Sequence, residues 1–173
     1  MRDTSWKRGL LAGVVTGALV AGVAARMLGS SDAVAPDSSG DLATPRQQSV
    51  MAELQADLDE GLRRWYSGDP SGYAELYADE LSYFDPGTDV SLDGLDALRT
   101  YYEPLVNRFH VDRYETVNVR LQLHGDIAIL TFNLNEYETG VPPSAEWKVT
   151  HVYRHFGDGW RVIHGHFSQV AAG

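Results

Sequence analysis

Residues 144–170 read SAEWKVTHVYRHF, then GDG, then WRVIHGHFSQV: two β-rich runs around Gly157-Asp158-Gly159. Glycine and aspartate tolerate the positive φ of tight turns, so the spacing predicts a hairpin. Placing Phe156 opposite Trp160 across a three-residue loop sorts each strand with a period of two. One face then carries Trp147, Val149, His151, Tyr153, Ile163, Gly165, Phe167 and Gln169. The other carries Lys148, Thr150, Val152, Arg154, Val162, His164, His166 and Ser168. The first face is bulky and mostly apolar, with one histidine and one amide in it. That is the composition of a pocket wall, and the rest of the chain reads as what closes over it.

Immediately upstream, residues 113–123 and 127–138 flank Gly125-Asp126, and pairing His124 with Ile127 sets a second hairpin. Its core face becomes Val117, Val119, Leu121 and Leu123 against Leu134, Phe132, Leu130 and Ala128, all apolar. Its other face is mainly polar, with Ile129 the exception, and is wet or partner-facing. Helices precede the sheet. Thr44 as N-cap, Pro45 at the first helical position and Gln47 in the capping-box place start a helix sharply. Its stripe is Val50, Met51, Leu54, Leu58, Leu62 and Trp65, and it stops near Ser67-Gly68. Asp69-Pro70 opens a short second helix with Tyr73, Leu76 and Tyr77 on one side. Leu81 to Phe84 is a short strand ending in the turn Asp85-Pro86-Gly87. Asp93 caps a third helix with the stripe Leu95, Leu98, Tyr102, Leu105 and Phe109. Helices followed by long antiparallel strands make an α+β protein. The expected form is a strongly curved antiparallel β-sheet wrapped around three N-terminal helices, a cone with an internal cavity.

The chain of 173 residues is 43% hydrophobic and 10% aromatic, enough to pack one domain core. It has no cysteine, which excludes disulfides, thiolate nucleophiles, thiolate metal sites and a lipid-modified cysteine anchor. Residues 1–35 read as an export signal or N-terminal membrane anchor. Lys7-Arg8 is followed by the apolar run 10–25 and by Ala33-Val34-Ala35, a small-x-small cleavage site. The run is shorter than the ~20 residues of a membrane span. The domain is therefore expected outside the cytoplasm, periplasmic or extracellular, with tethering by residues 10–25 as the alternative. Residues 36–43 are a polar linker, and residues 44–173 form the domain. Residues 1–35 hold four basic and two acidic side chains, which leaves 10 basic against 22 acidic in the remainder. Such a surface repels phosphate backbones, so no nucleic-acid partner is expected.

Several ordered stretches resemble a known group. They are Ser67-Gly68-Asp69 entering a helix with Tyr73, Tyr83-Phe84-Asp85-Pro86, Asp93-Gly94-Leu95-Asp96 and Tyr101-Tyr102-Glu103. Thr150-His151-Val152-Tyr153 and Trp160-x3-His164-x-His166-x-Ser168 complete the set. Over residues 45–169 the chain resembles the SnoaL-like, nuclear transport factor 2-like superfamily. Within it the pattern is most similar to the association (hub) domain of calcium/calmodulin-dependent protein kinase II. The resemblance implies a cavity lined, in that hub domain, by a tyrosine, a histidine and arginines that take small carboxylates. By position the tyrosine falls on Tyr73, the histidine on Leu98, and the arginines on Leu134, His151 and Phe167. The cationic lining is thus nearly gone, and a small apolar or aromatic ligand is expected instead.

His151, alone among Val149 and Tyr153, is the candidate general base or ligand-orienting group. Its structural alternative is a core histidine hydrogen-bonded to Tyr73 or Tyr83. The resemblance implies that SnoaL-like and ketosteroid isomerase-like enzymes pair an aspartate with histidine or tyrosine. That makes Asp85 and Tyr83 the partners of His151 in a catalytic set, although Asp-Pro-Gly is equally an ordinary turn. The ligand-contacting set is Tyr73, Leu98, Tyr102, Leu134, Trp147, Tyr153, Phe167 and Gln169. Glu136 and Glu138, on the face of Leu134, are rim acids or simply solvated. His164 and His166 could chelate a metal given a converging third ligand. None is apparent on that face, so no metal and no cofactor is expected, and a subunit contact is. Two functions follow. The first is an exported small-molecule-binding or oligomeric scaffold domain, a homodimer or larger through the outer sheet face. The second is an isomerase, cyclase or hydrolase using the His/Asp/Tyr set.

Overall fold

The computed structural model describes residues 43–138 and 143–170. The export segment and nearly all of the linker expected above lie outside the described residues. The elements are α1 (Pro45–Tyr66), α2 (Ser71–Ala74), β1 (Tyr77–Phe84), β2 (Leu92–Asp93) and α3 (Leu95–Tyr102). A 3₁₀ turn at Glu103–Leu105 leads into β3 (Arg113–His124), β4 (Ile127–Tyr137), β5 (Ala145–Phe156) and β6 (Gly159–Gln169). The fold is α+β: one open, curled six-strand sheet of order β2-β1-β6-β5-β4-β3, with helices against its inner face. All pairings are antiparallel except β1 with β6, which run parallel.

The start of α1 follows from its chemistry. Thr44 Oγ1 accepts from the Gln47 N–H, and Gln47 Oε1 accepts from the Thr44 N–H at 2.7 Å, so two otherwise orphaned donors are satisfied reciprocally. Val50, Leu54, Leu58, Leu62 and Tyr66 are buried along one face. Each fully enclosed leucine contributes roughly 1.5–3 kcal/mol. No described helix is long and apolar enough to cross a membrane.

Five local expectations are corrected. Tyr77 opens β1 instead of continuing a helix, so that strand begins four residues before Leu81. Asp93 lies in β2, and the residue entering α3 is Gly94 at φ 88°, a backbone conformation suited to glycine. The last turn is tighter than a three-residue loop, because Phe156 pairs with Gly159 and His155 with Trp160. A bulge at Ile163, between the pairs Tyr153–Val162 and Val152–His164, then restores the predicted register from His151–Gly165 to Trp147–Gln169. Hence Val162 points inward and is fully buried, while Ile163 is only partly covered. In the other hairpin His124 pairs with Ile127 as expected, but Asn118 at φ 56° marks a second bulge. Beyond it Thr116, not Val117, stands opposite Leu134.

The aromatic cage around His151

His151 lies at the centre of β5 and is completely enclosed (0% exposed). Five rings surround it: those of Tyr73, Tyr77, Phe132, Tyr153 and Phe167 have centroids 5.6–6.0 Å from the imidazole. Nε2 faces the hydroxyls of Tyr73 at 3.3 Å and Tyr77 at 3.4 Å, and Nδ1 faces that of Tyr153 at 3.3 Å. Burial, with a smaller contribution from His164, pushes its pKa down to about 3. The ring is therefore neutral at any ordinary pH, because a charged imidazole would lose its hydration with no anion to replace it.

Gly165 explains why the cage closes so tightly. It sits opposite His151 on β6, and a Cβ there would come within 2.9 Å of the Tyr77 hydroxyl oxygen and 3.2 Å of Tyr83 Cδ2. A missing side chain on β6 thus admits two tyrosines from β1.

From the cage a run of tyrosines leads to the rim. The Tyr77 and Tyr83 rings lie 6.0 Å apart and those of Tyr83 and Tyr102 6.2 Å apart, both edge to face. Tyr83 then donates to Asp85 Oδ2 at 3.1 Å. Asp85 Oδ1 accepts from the Tyr101 hydroxyl at 3.0 Å and from the Gly87 N–H at 2.7 Å. Burial raises the pKa of Tyr73, Tyr77, Tyr83, Tyr102 and Tyr153, so all five stay protonated. Asp85 and Tyr83 therefore do come together, but no hydrogen bond joins Asp85 to His151; three tyrosines stand between them. The carboxylate closes its own turn while anchoring two tyrosines.

Of the candidate ligand-contacting residues, Tyr73, Leu98, Tyr102, Leu134, Tyr153 and Phe167 are buried in one core cluster. Trp147 lies opposite Leu134 and Gln169; its indole N–H is buried and unpartnered. Gln169 is exposed at the end of β6, outside that cluster. Glu136 accepts from the Tyr66 hydroxyl at 2.6 Å, tying the end of α1 to β4. Tyr77 was not foreseen as a neighbour of His151. Tyr73 and Tyr77 stand four apart and read as one helical face, which hid the strand. Two open grooves of about 520 and 380 Å³ are rimmed largely by charged side chains such as Glu60, Arg63, Asp79 and Arg161, and the second also touches Tyr77. Among the described residues no group of three or more His, Asp or Glu side chains is placed to hold a metal ion.

With this geometry in hand, the chain compares clearly with known proteins. The model of the SnoaL-like domain matches residues 58–172. Among solved structures, one described as a "putative ketosteroid isomerase" from Parabacteroides distasonis is 32% identical, with a TM-score of 0.57 over 65% of this chain and 84% of that one. The CaMKII hub of S. rosetta is 22% identical, with a TM-score of 0.56 over 69% and 95%. An NTF2-like protein of unknown function from Pseudomonas putida is 20% identical, with a TM-score of 0.60 over 70% and 87%. The latter two identities speak for the fold alone. No curated protein matches the sequence.

Proposed function

The chain belongs to the SnoaL-like domain family, and from that premise we propose that it is an exported, non-catalytic assembly domain whose filled cone serves as core and whose open sheet face meets a second copy. The observation that carries this reading is the state of His151. It is wholly enclosed, ringed by side chains and held near pKa 3, so it is neither the wall of a void nor a useful base near neutral pH. A catalytic acid–base pair would also need Asp85 free to act, and its oxygens are committed to Tyr83, Tyr101 and Gly87.

The outer sheet face supports the assembly half. Two rows cross it: Ser82–His164–Val152–Ile129 and Phe84–His166–Thr150–Thr131. These eight residues include no carboxylate, on a chain of net charge −10. Phe84 is 45% exposed there. Lys148 and Arg154 flank the rows on β5, and Arg120 extends one of them onto β3. Two copies of an acidic protein repel least where neither presents acid, and a two-fold contact sets the β-branched side chains of this face against themselves. The name of one neighbour, a hub, leans the same way.

Sedimentation velocity of the full chain at micromolar concentration is the test, with a dimer or larger species expected. Val152→Arg should raise the dissociation constant at least about 100-fold through desolvation of a new charge while leaving the circular dichroism unchanged. A strict monomer for the unmodified chain would sink the assembly reading.

One observation favours an isomerase instead, namely the run of tyrosines between Asp85 and His151, with Tyr83 donating to Asp85 and Tyr77 facing the imidazole. On that reading the cage opens to admit a small ketone. Formation of a conjugated enone from a β,γ-unsaturated ketone, lost in Tyr83→Phe, would establish it and displace the non-catalytic reading.

A further inference from the structure

The proposed assembly face carries two imidazoles at its centre. His164 and His166 are two residues apart on β6, on the side away from the cage. His164 Nδ1 and Ser82 Oγ are hydrogen-bonded at 2.8 Å. The exposed Phe84 ring lies 5.8 Å from His164 and 5.7 Å from His166, so the three rings form one patch. Val152 stands opposite His164 and Thr150 opposite His166 on β5.

The charged neighbours on every adjoining element are few. On β2, Asp93 lies across Ser82. On β1, Glu80 is tied to Arg154 of β5. Lys148 lies further along β5, opposite Ser168. Arg120 and His124 are on β3, opposite Thr131 and Ile127; β4 contributes the uncharged Ile127, Ile129, Thr131, Asn133, Asn135 and Tyr137; and Glu146 of β5 and Glu115 of β3 flank Asn135 at the far end of the face. Through the sheet lies the neutral His151. Among the described residues no carboxylate hydrogen-bonds either imidazole, so no direct ion pair compensates a proton gained there.

We propose that His164 and His166 make the assembly pH-sensitive: copies meet through this face while both imidazoles are neutral, and separate when both are protonated. The inference rests on the assembly reading above. A two-fold contact brings a surface against itself, so one interface would hold four imidazoles. Protonating them would place four positive charges in a region losing water, each disfavoured by desolvation and by its like-charged neighbours. Burial, and next His166, already hold His164 below the ordinary histidine range in the single chain. Covering the face extends that effect to both rings. Groups whose pKa is lower in the assembled state take up protons on separation. Assembly is therefore at full strength at pH values where both imidazoles are neutral in the separated chains as well, and weakens as pH falls into the range where the separated chains take up protons. The limit is about tenfold in dissociation constant per excluded proton per pH unit.

Sedimentation equilibrium of the full chain between pH 7.5 and 5.5, with circular dichroism at each pH to verify folding, is the test. The dissociation constant should rise on the order of 100-fold over that range, and His164→Gln and His166→Gln should each flatten the dependence. A monomer already at pH 7.5 would defeat the assembly reading itself. An unchanged dissociation constant across the range would leave assembly standing and overturn the switch. A pH dependence that persists undiminished in both single variants would assign it to other groups and also overturn the proposal.

Discussion

At His151 the chain places an ionisable group where it stays neutral, and that placement has a measurable consequence. In the unfolded chain the imidazole takes a proton near its ordinary pKa of about 6.5; in the fold it does not until about pH 3. Its folded value is the lower one, so it carries no penalty at pH 7. It lowers stability progressively as pH falls from 6.5 towards 3, by roughly 2–3 kcal/mol at pH 4.5. His151→Phe should remove that dependence. Denaturant unfolding at pH 7 and pH 4.5 should show the stability gap between wild type and variant shifting by this amount in favour of the variant at acid pH. A constant gap would mean that the ring is not held neutral. Asp85 gives a second prediction. Asp85→Ala removes the acceptor of Tyr83, Tyr101 and the Gly87 N–H, and leaving the buried Tyr83 hydroxyl unsatisfied costs about 1–3 kcal/mol. A melting temperature unchanged from wild type would show that the turn does not depend on this carboxylate. Strand parity alone was enough to turn His151 inward. What it could not convey is that the space beneath is filled, because packing depends on Gly165 letting Tyr77 in, a contact made by residues far apart in sequence.

The elements that declared themselves in the chain are those with local chemistry. Thr44-Pro45 with Gln47 wrote the start of α1, and Gly125-Asp126 wrote the β3–β4 turn. The bulges did not declare themselves. Val162 and Ile163 are adjacent β-branched residues, so a period-two pattern has no preference between them, and the inward choice was made by the tight turn at Gly157-Asp158. At Asn118 the sign was present but ambiguous, since asparagine on a strand face is ordinary, and only its φ of 56° reveals the bulge. A β-branched residue is strained in that region, so Asn118→Val should cost on the order of 1–2 kcal/mol while Asn118→Gly should be nearly neutral. Equal losses for both would place the cost in the Asn118–Asn133 side-chain hydrogen bond instead. Gly165→Ala probes the other side of the sheet. The added methyl must displace Tyr77 or Tyr83, so a loss of about 1–3 kcal/mol is expected in thermal unfolding. A neutral result would show slack in the cage that these distances do not allow.

For the whole molecule the governing quantity is charge. The chain carries 24 acidic against 14 basic residues, and two copies approaching each other repel at long range. The two rows from β1 to β4 hold no carboxylate, and the cations Lys148, Arg154 and Arg120 stand beside them. On the assembly proposed above, contact through this face is therefore driven by apolar and polar packing against a background of net repulsion. It is not driven by ion pairs across the interface. The two cases respond oppositely to salt. Screening lengths shrink from roughly 20 Å at 20 mM to about 8 Å at 150 mM, which removes much of the net repulsion and leaves apolar contacts nearly untouched. The dissociation constant of the assembly should accordingly fall several-fold between 20 and 150 mM sodium chloride at pH 7.5, measured by sedimentation equilibrium. A rise over the same range would mean that Lys148, Arg154 or Arg120 pairs with acids of the second copy, and that the two rows are not where the copies meet.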